Sequence, residues 1–194
     1  DGLHAIYATR VRPDAIHTSV LASLMWIDTK LTKTMYVPGY LEPGGPNPYD
    51  GALPQKFWPD VLANTNGAFR IQDSQGGYIY KGKTIVPMVE GQATLAIDSS
   101  GHMTVGKWGR DINPNGDIIV ARQNLALIID HGQSRVRSGD GFRWGATTHG
   151  ESAAWRSAIG ERADGSLVYI GSPGLTAQAM ADTLISAGVQ RAMV

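Results

Sequence analysis

Along most of this chain the apolar residues recur every second position, and only one stretch keeps a helical period. Leu3 to Val11 alternates around Leu3, Ala5, Tyr7 and Thr9 and predicts a strand. His17 to Asp28 fits either period, and its Thr18, Val20, Trp26 and Ile27 favour strand. Met35 to Val37 closes that region at Pro38-Gly39. Short strands are predicted over Val61 to Thr65, Tyr78 to Tyr80 and Thr84 to Val86. Ala93 to Asp98 and Met103 to Trp108 flank Ser99-Ser100-Gly101-His102 as a hairpin. Ile118 to Asn124 and the apolar Leu125 to Asp130 follow.

The last forty or so residues carry the clearest punctuation. Trp155 to Gly160 and Ser166 to Ile170 flank Asp164-Gly165, a hairpin signal. Gly171-Ser172-Pro173-Gly174 predicts a break, and a helix is expected over Leu175 to Ala187. Ala177, Met180, Ala181, Leu184 and Ile185 give it one apolar face. Thr176 suits the N-cap, Leu175 and Met180 a hydrophobic staple, and Gly188 the C-terminal cap. Val189 to Val194 begins a buried strand with no turn signal to end it.

Two stretches read as loops. Tyr40 to Pro59 is too rich in proline and glycine for helix or central strand, and Asn66-Gly67 and Gly76-Gly77 read as turns. Tyr40, Tyr49, Phe57 and Trp58 either line a sugar subsite or pin that first loop to the body. Residues 135–150 form a basic, glycine-rich surface loop. The pattern predicts one α+β domain over residues 1–194, with a twisted mixed or antiparallel sheet core and few helices.

Composition narrows the function more than the fold. With 194 residues the chain can bury a sizeable core, and 24 Gly with 10 Pro fit a turn-rich, β-rich fold. Lys+Arg and Asp+Glu are both 17, so bulk electrostatics argues against a nucleic-acid partner. No apolar run approaches the roughly 20 residues of a membrane-spanning helix. The absence of cysteine excludes disulfides and thiolate metal sites but does not fix the compartment. The chain begins at Asp1 rather than Met, which predicts a processed form or a fragment.

The five histidines are scattered without a His-x-x-x-His pair, so neither a metal nor another cofactor is expected. No phosphate loop lies between a strand and a helix, and no Gly-x-Ser-x-Gly elbow occurs. Two segments remain. Asn64 to Arg70 places an amide, a bare backbone and a cation at a strand end. Trp155-Arg156-Ser157 places an arginine beside an aromatic in an apolar strand. Taken alone, such an arginine more often faces solvent or pairs with a carboxylate.

Several runs in order along the chain resemble the phosphodiester glycosidase family, the uncovering-enzyme-like domain, in its actinobacterial branch. They are Gln92 to Asp98, Val105-Gly106-Lys107-Trp108-Gly109-Arg110-Asp111, Arg122-Gln123-Asn124-Leu125, Trp155-Arg156-Ser157-Ala158-Ile159-Gly160 and Ala187-Gly188-Val189-Gln190-Arg191-Ala192-Met193. Asn64 to Arg70 also fits, where the family has a turn before an aromatic. The resemblance implies hydrolysis of a sugar 1-phosphodiester at the glycosidic C–O bond, with a phosphorylated carbohydrate as substrate. It implies Arg156 and Asn66 as catalytic residues and Gly67, Arg70, Trp155 and Asn124 as substrate-binding residues. A phosphomonoester leaves as a stable anion, so the usual carboxylate pair is not obligatory and a phosphate-binding cation matters more.

The chain departs from the family at its end. The family continues past the last strand into an Asp-containing motif, whereas this chain stops at Val194. The expectation is therefore a further segment after Val194, in the same chain or in a second one produced by cleavage, that supplies an acidic residue. Arg191 to Val194 are expected to pair in the sheet and point at a cleft shared by Arg156 and Asn66. Gly67 is expected at positive φ or close to a ligand. Without that carboxylate, the alternative is a non-catalytic glycan-binding or assembly module. A secreted or cell-envelope location is expected with either reading.

Overall fold

The computed structural model describes residues 3–39, 51–144 and 153–194, with Gly141 and Phe142 described by their backbone alone. Alternating apolar residues need a covered face, and the chain provides it with two sheets. The larger runs β1 (Ile6–Val11), β2 (Ala22–Ile27), β11 (Leu167–Leu175), β10 (Ala154–Arg162), β12 (Val189–Met193), β8 (Ile129–Asp130) and β9 (Gln133–Ser134) in spatial order. The smaller runs β4 (Lys83–Val86), β3 (Tyr78–Tyr80), β7 (Ile118–Gln123), β5 (Ala93–Asp98) and β6 (Met103–Lys107). Every pairing between these strands is antiparallel. The result is the expected single α+β domain, rich in sheet and poor in helix.

The core lies in two main layers. Leu95, Val105, Val120, Leu167 and Met193 pack between the sheets. On the far side of the larger sheet, helix α2 (Ala177–Ser186) covers Ile128, Ala158, Val168 and Ile170 with Met180, Ala181 and Leu184. Local signals set this helix. Thr176 Oγ1 accepts the Ala179 N–H at 3.0 Å, and Gly188 adopts φ +84° just past the last turn. Leu175 and Met180 share one buried cluster, as a staple requires. Residue 160 must also be small. A Cβ on Gly160 would meet Val189 at 2.4 Å, so β10 and β12 pack closely only with glycine there.

One open choice settles as favoured, and three expectations change. His17 to Asp28 resolves to strand, as β2. Val61 to Thr65 forms no strand: all five residues are exposed, and no strand among the described residues pairs with them. Leu125 to Asp130 is strand only at Ile129–Asp130, since Leu125 turns the chain at φ +53°. The break expected at Gly171 to Gly174 is instead continuous strand. β2 pairs with β11 only as far as Gly171, so Pro173 interrupts no ladder on that side. A one-turn helix α1 (Ile71–Ser74) and a 3₁₀ turn at Gln55–Asp60 were not legible in the pattern. Tyr40 and Tyr49 lie outside the described residues, Phe57 is half-buried and Trp58 is exposed. No helix among the described residues is long and apolar enough to cross a membrane.

Candidate functional site

Strand β7 carries an arginine into the space between the sheets. Val120 and Arg122 share its inward face, and Arg122 stands opposite Tyr78 of β3 and Leu95 of β5. It is 5 % exposed. Its guanidinium lies 5.2 Å from the Tyr78 ring centroid, and Nη2 donates to the Phe69 carbonyl at 2.9 Å. Nη1 is buried and has no partner among the described residues. Tyr36, Tyr78 and Tyr80 wall this side, with centroids 5.9 to 6.1 Å apart. Burial, aided by Tyr36, pushes the Tyr78 phenol far up, so it stays neutral.

Asn124 follows two residues later, about 7 Å along the same face by strand geometry. It is 1 % exposed. Its N–H donates to the Ala93 carbonyl at 3.0 Å, and its Nδ2 donates to the Val194 carbonyl at the end of β12. Its Oδ1 is buried with no partner among the described residues. One face thus presents a cationic donor and an amide acceptor, each desolvated. Such groups cost about 1–3 kcal/mol apiece when left unpaired, a cost that a bound polar ligand removes.

Gln123, Glu161 and Asp130 nearby are satisfied, whereas Gln92 Oε1 and Arg191 Nε are, like Arg122 Nη1 and Asn124 Oδ1, buried without a partner among the described residues. Gln123 Oε1 accepts N–H groups of Gly77 and Val89, both at 2.8 Å, and its Nε2 donates to Val89 and Thr94. Glu161 accepts from the Val105 N–H at 2.8 Å and from Arg191 at 2.9 Å, joining the two sheets. Asp130 accepts from Arg110 at 2.6 and 3.1 Å and from Lys107 at 2.9 Å. The Arg110 bonds, then Lys107, outweigh burial and hold its carboxyl well below the usual range.

The residues singled out in the sequence fall in three places. Arg156 is 6 % exposed, but it points to the helix side of the larger sheet. Its Nε donates to the Leu175 carbonyl at 2.9 Å and Nη1 to the Trp144 carbonyl at 2.6 Å. Burial lowers its pKa. Trp155 faces the other way and is 78 % exposed. Asn66 and Arg70 are exposed, and Arg70 caps α1 with its main chain only. Gly67 is half-buried beside Tyr36, which brings its segment to Arg122 rather than to Arg156.

Two expectations change here as well. Gly67 is not among the residues at positive φ, and a Cβ there would make ordinary contact with Tyr36 at 3.6 Å. Arg191 to Met193 do pair in the sheet, yet Arg156 lies on the opposite face of that sheet from Arg122. Arg122 belongs to the Arg122-Gln123-Asn124-Leu125 run, in which only Asn124 is expected to bind substrate. Its parity with Val120 and Asn124 was the available signal, because it puts a cation on an apolar strand face. Among the described residues, no group of His, Asp or Glu is arranged to hold a metal ion.

Comparison with known proteins supports this fold. The model of the phosphodiester glycosidase family matches residues 60–194. The chain is similar to the catalytic domain of zebrafish N-acetylglucosamine-1-phosphodiester alpha-N-acetylglucosaminidase, solved in a form auto-inhibited by its pro-peptide. The TM-score is 0.56 and the identity 14%, over 97% of this chain and 68% of that one. It is also similar to a hypothetical protein from Synechocystis, with a TM-score of 0.56 and 11% identity, over 90% of this chain and 53% of that one. At these identities the likeness concerns the fold. No curated protein matches the chain.

Proposed function

This chain belongs to the phosphodiester glycosidase family, and from that premise we propose that it hydrolyses a sugar 1-phosphodiester at the glycosidic C–O bond. The observation that carries this reading is the pair of unpartnered buried groups at the end of β7, Arg122 Nη1 within the strand and Asn124 Oδ1 just past it. The structural likeness to a glycosidase of N-acetylglucosamine-1-phosphodiesters adds support. In this reading Arg122 donates to a non-bridging phosphate oxygen, and Asn124 accepts from a sugar hydroxyl. Water attacks the anomeric carbon, the bond from that carbon to the phosphate oxygen breaks, and the electron pair stays on phosphate. A phosphomonoester and a free sugar result, and the proton of the attacking water passes to solvent. A desolvated arginine stabilises the charge that gathers on the leaving phosphate. Arg156 serves this site as a positioning residue, by tying β10 to the chain at Trp144 and Leu175. The substrate assigned by this reading is an extracellular or cell-envelope glycan.

A second reading, a glycan-binding module without turnover, has its own support. Among the described residues, no carboxylate bonds to Arg122 or Asn124. Incubation with a panel of sugar 1-phosphodiesters separates the two readings. Equimolar release of reducing sugar and phosphomonoester is the expected result. Binding of the same compounds in titration calorimetry with no release would leave the module reading.

A further inference from the structure

A concave feature lies where β6 ends at Lys107. It is a cavity of about 330 Å³, lined by Lys107, Asp130, Arg135, Arg137 and Arg143 together with apolar side chains such as Leu127 and Val136. Four cations therefore meet one carboxylate. The carboxylate is Asp130, which is almost fully buried, while Arg135, Arg137 and Arg143 are exposed. Lys107 and Arg110 bond to it directly, and Arg135 stands 3.7 Å away. Asp130 thus fixes cations along the wall and cancels only one of them. Arg143 lies 5.2 Å from the Trp144 ring centroid and 3.8 Å from the Asp140 carboxylate, which also accepts the Arg137 main-chain N–H at 3.2 Å; the Arg137 guanidinium has no partner among the described residues. A concave wall on which one sign of charge predominates draws an ion of the other sign. The volume suits a phosphoryl group with part of a sugar.

The cavity and the Arg122 site are joined through one strand. Lys107 pairs across the sheet with Ala93, and Asn124 bonds to the Ala93 carbonyl. Two strand spacings, roughly 10 Å, separate their backbones. We propose that the basic cavity is a second anion subsite, which takes a second phosphoryl group of the glycan whose first phosphate lies at Arg122. The inference rests on the function proposed above and adds to it the substrate class: a glycan with repeated phosphates, rather than an isolated sugar phosphodiester. Arginine suits this role because its planar fork matches phosphate oxygens in pairs.

The test compares two N-acetylglucosamine 1-phosphodiesters on the full chain. One carries glycerol as the aglycone, and the other carries glycerol with a terminal phosphate. The expected KM is about tenfold lower for the doubly charged compound, in line with two charge-assisted bonds that remain partly solvated. The double variant Arg137→Gln, Arg143→Gln narrows that ratio towards one. The double variant Lys30→Gln, Lys33→Gln, with the same change in net charge on an exposed turn, keeps it. Equal KM values in the parent chain overturn the subsite, and so does equal narrowing by both double variants, which would mark a bulk charge effect. If the parent chain cleaves neither compound, the proposed reaction fails and calorimetry with pyrophosphate decides the subsite alone. Binding weakened about tenfold by the Arg137 and Arg143 pair supports it. Absent binding, or equal binding by both double variants, overturns it.

Discussion

Two buried arginines face opposite sides of this fold, and their surroundings differ in kind. Arg156 lies on the helix side of the larger sheet, where it donates to two main-chain carbonyls and holds the start of β10 against the chain around Trp144 and Leu175. Arg122 lies between the sheets against a tyrosine ring. It gives one bond to the Phe69 carbonyl and leaves Nη1 without a partner among the described residues. Burial of a cation is therefore a poor guide to its role. The main chain needs the first arginine, because two buried carbonyls would otherwise lose donors. The second keeps a buried donor that no described residue pairs.

The largest effect expected from this contrast is on activity. Arg122→Gln should lower kcat/KM for a sugar 1-phosphodiester by roughly 10²–10³, the usual cost of removing a donor to transition-state charge. Its melting temperature should change little, since the substitution also removes an unpaired buried group. Steady-state kinetics beside a thermal melt checks both, and an active Arg122→Gln enzyme would move the site elsewhere.

Next in size, Arg156→Ala should destabilise the fold by about 2–5 kcal/mol through two orphaned carbonyls and lost packing. A drop in melting temperature of roughly 5–15 °C follows for a chain of this size. If Arg156→Ala folds as stably as the parent yet is inactive, then Arg156 contacts substrate and the comparison collapses.

The smallest effect is in acid. The Asp130 carboxyl is depressed in the folded state, chiefly by Arg110, so its contribution to stability is present above the unfolded pKa of about 4 and is lost as pH falls below it. Asp130→Asn should be less stable than the parent near neutral pH, and the gap should close as pH falls below about 4. Denaturant midpoints at pH 7 and pH 3 measure that gap, and an unchanged gap would mean that Asp130 is not coupled to its cations.

Helix α2 shows how much a local pattern can determine. Its apolar spacing, its Thr176 cap and its Gly188 stop all act within one or two turns, and each is found where the pattern puts it. The Asp164-Gly165 hairpin belongs to the same class: Gly165 adopts φ +80°, and Asp164 accepts from Ser166. The resemblance of the ordered motifs to a glycosidase family was likewise legible, because it is a property of residues in sequence. The sheet-rich fold class also follows from alternation, since alternating faces need sheets that cover each other.

Tertiary structure alone decided that Arg122 keeps a donor unpaired by any described residue. Alternation shows that Arg122 shares a face with Val120 and Asn124, but not which other residues meet it there. Phe69 lies 53 residues away from Arg122, and the Val194 carbonyl lies 70 residues away from Asn124. The same limit hid the main-chain partners of Arg156. A strand has two faces, its sequence does not say which one a helix will cover, and here α2 covers the face that holds Arg156. Whether a polar atom is satisfied depends on carbonyls and rings contributed from distant chain segments, and those meet only when the sheets close on each other.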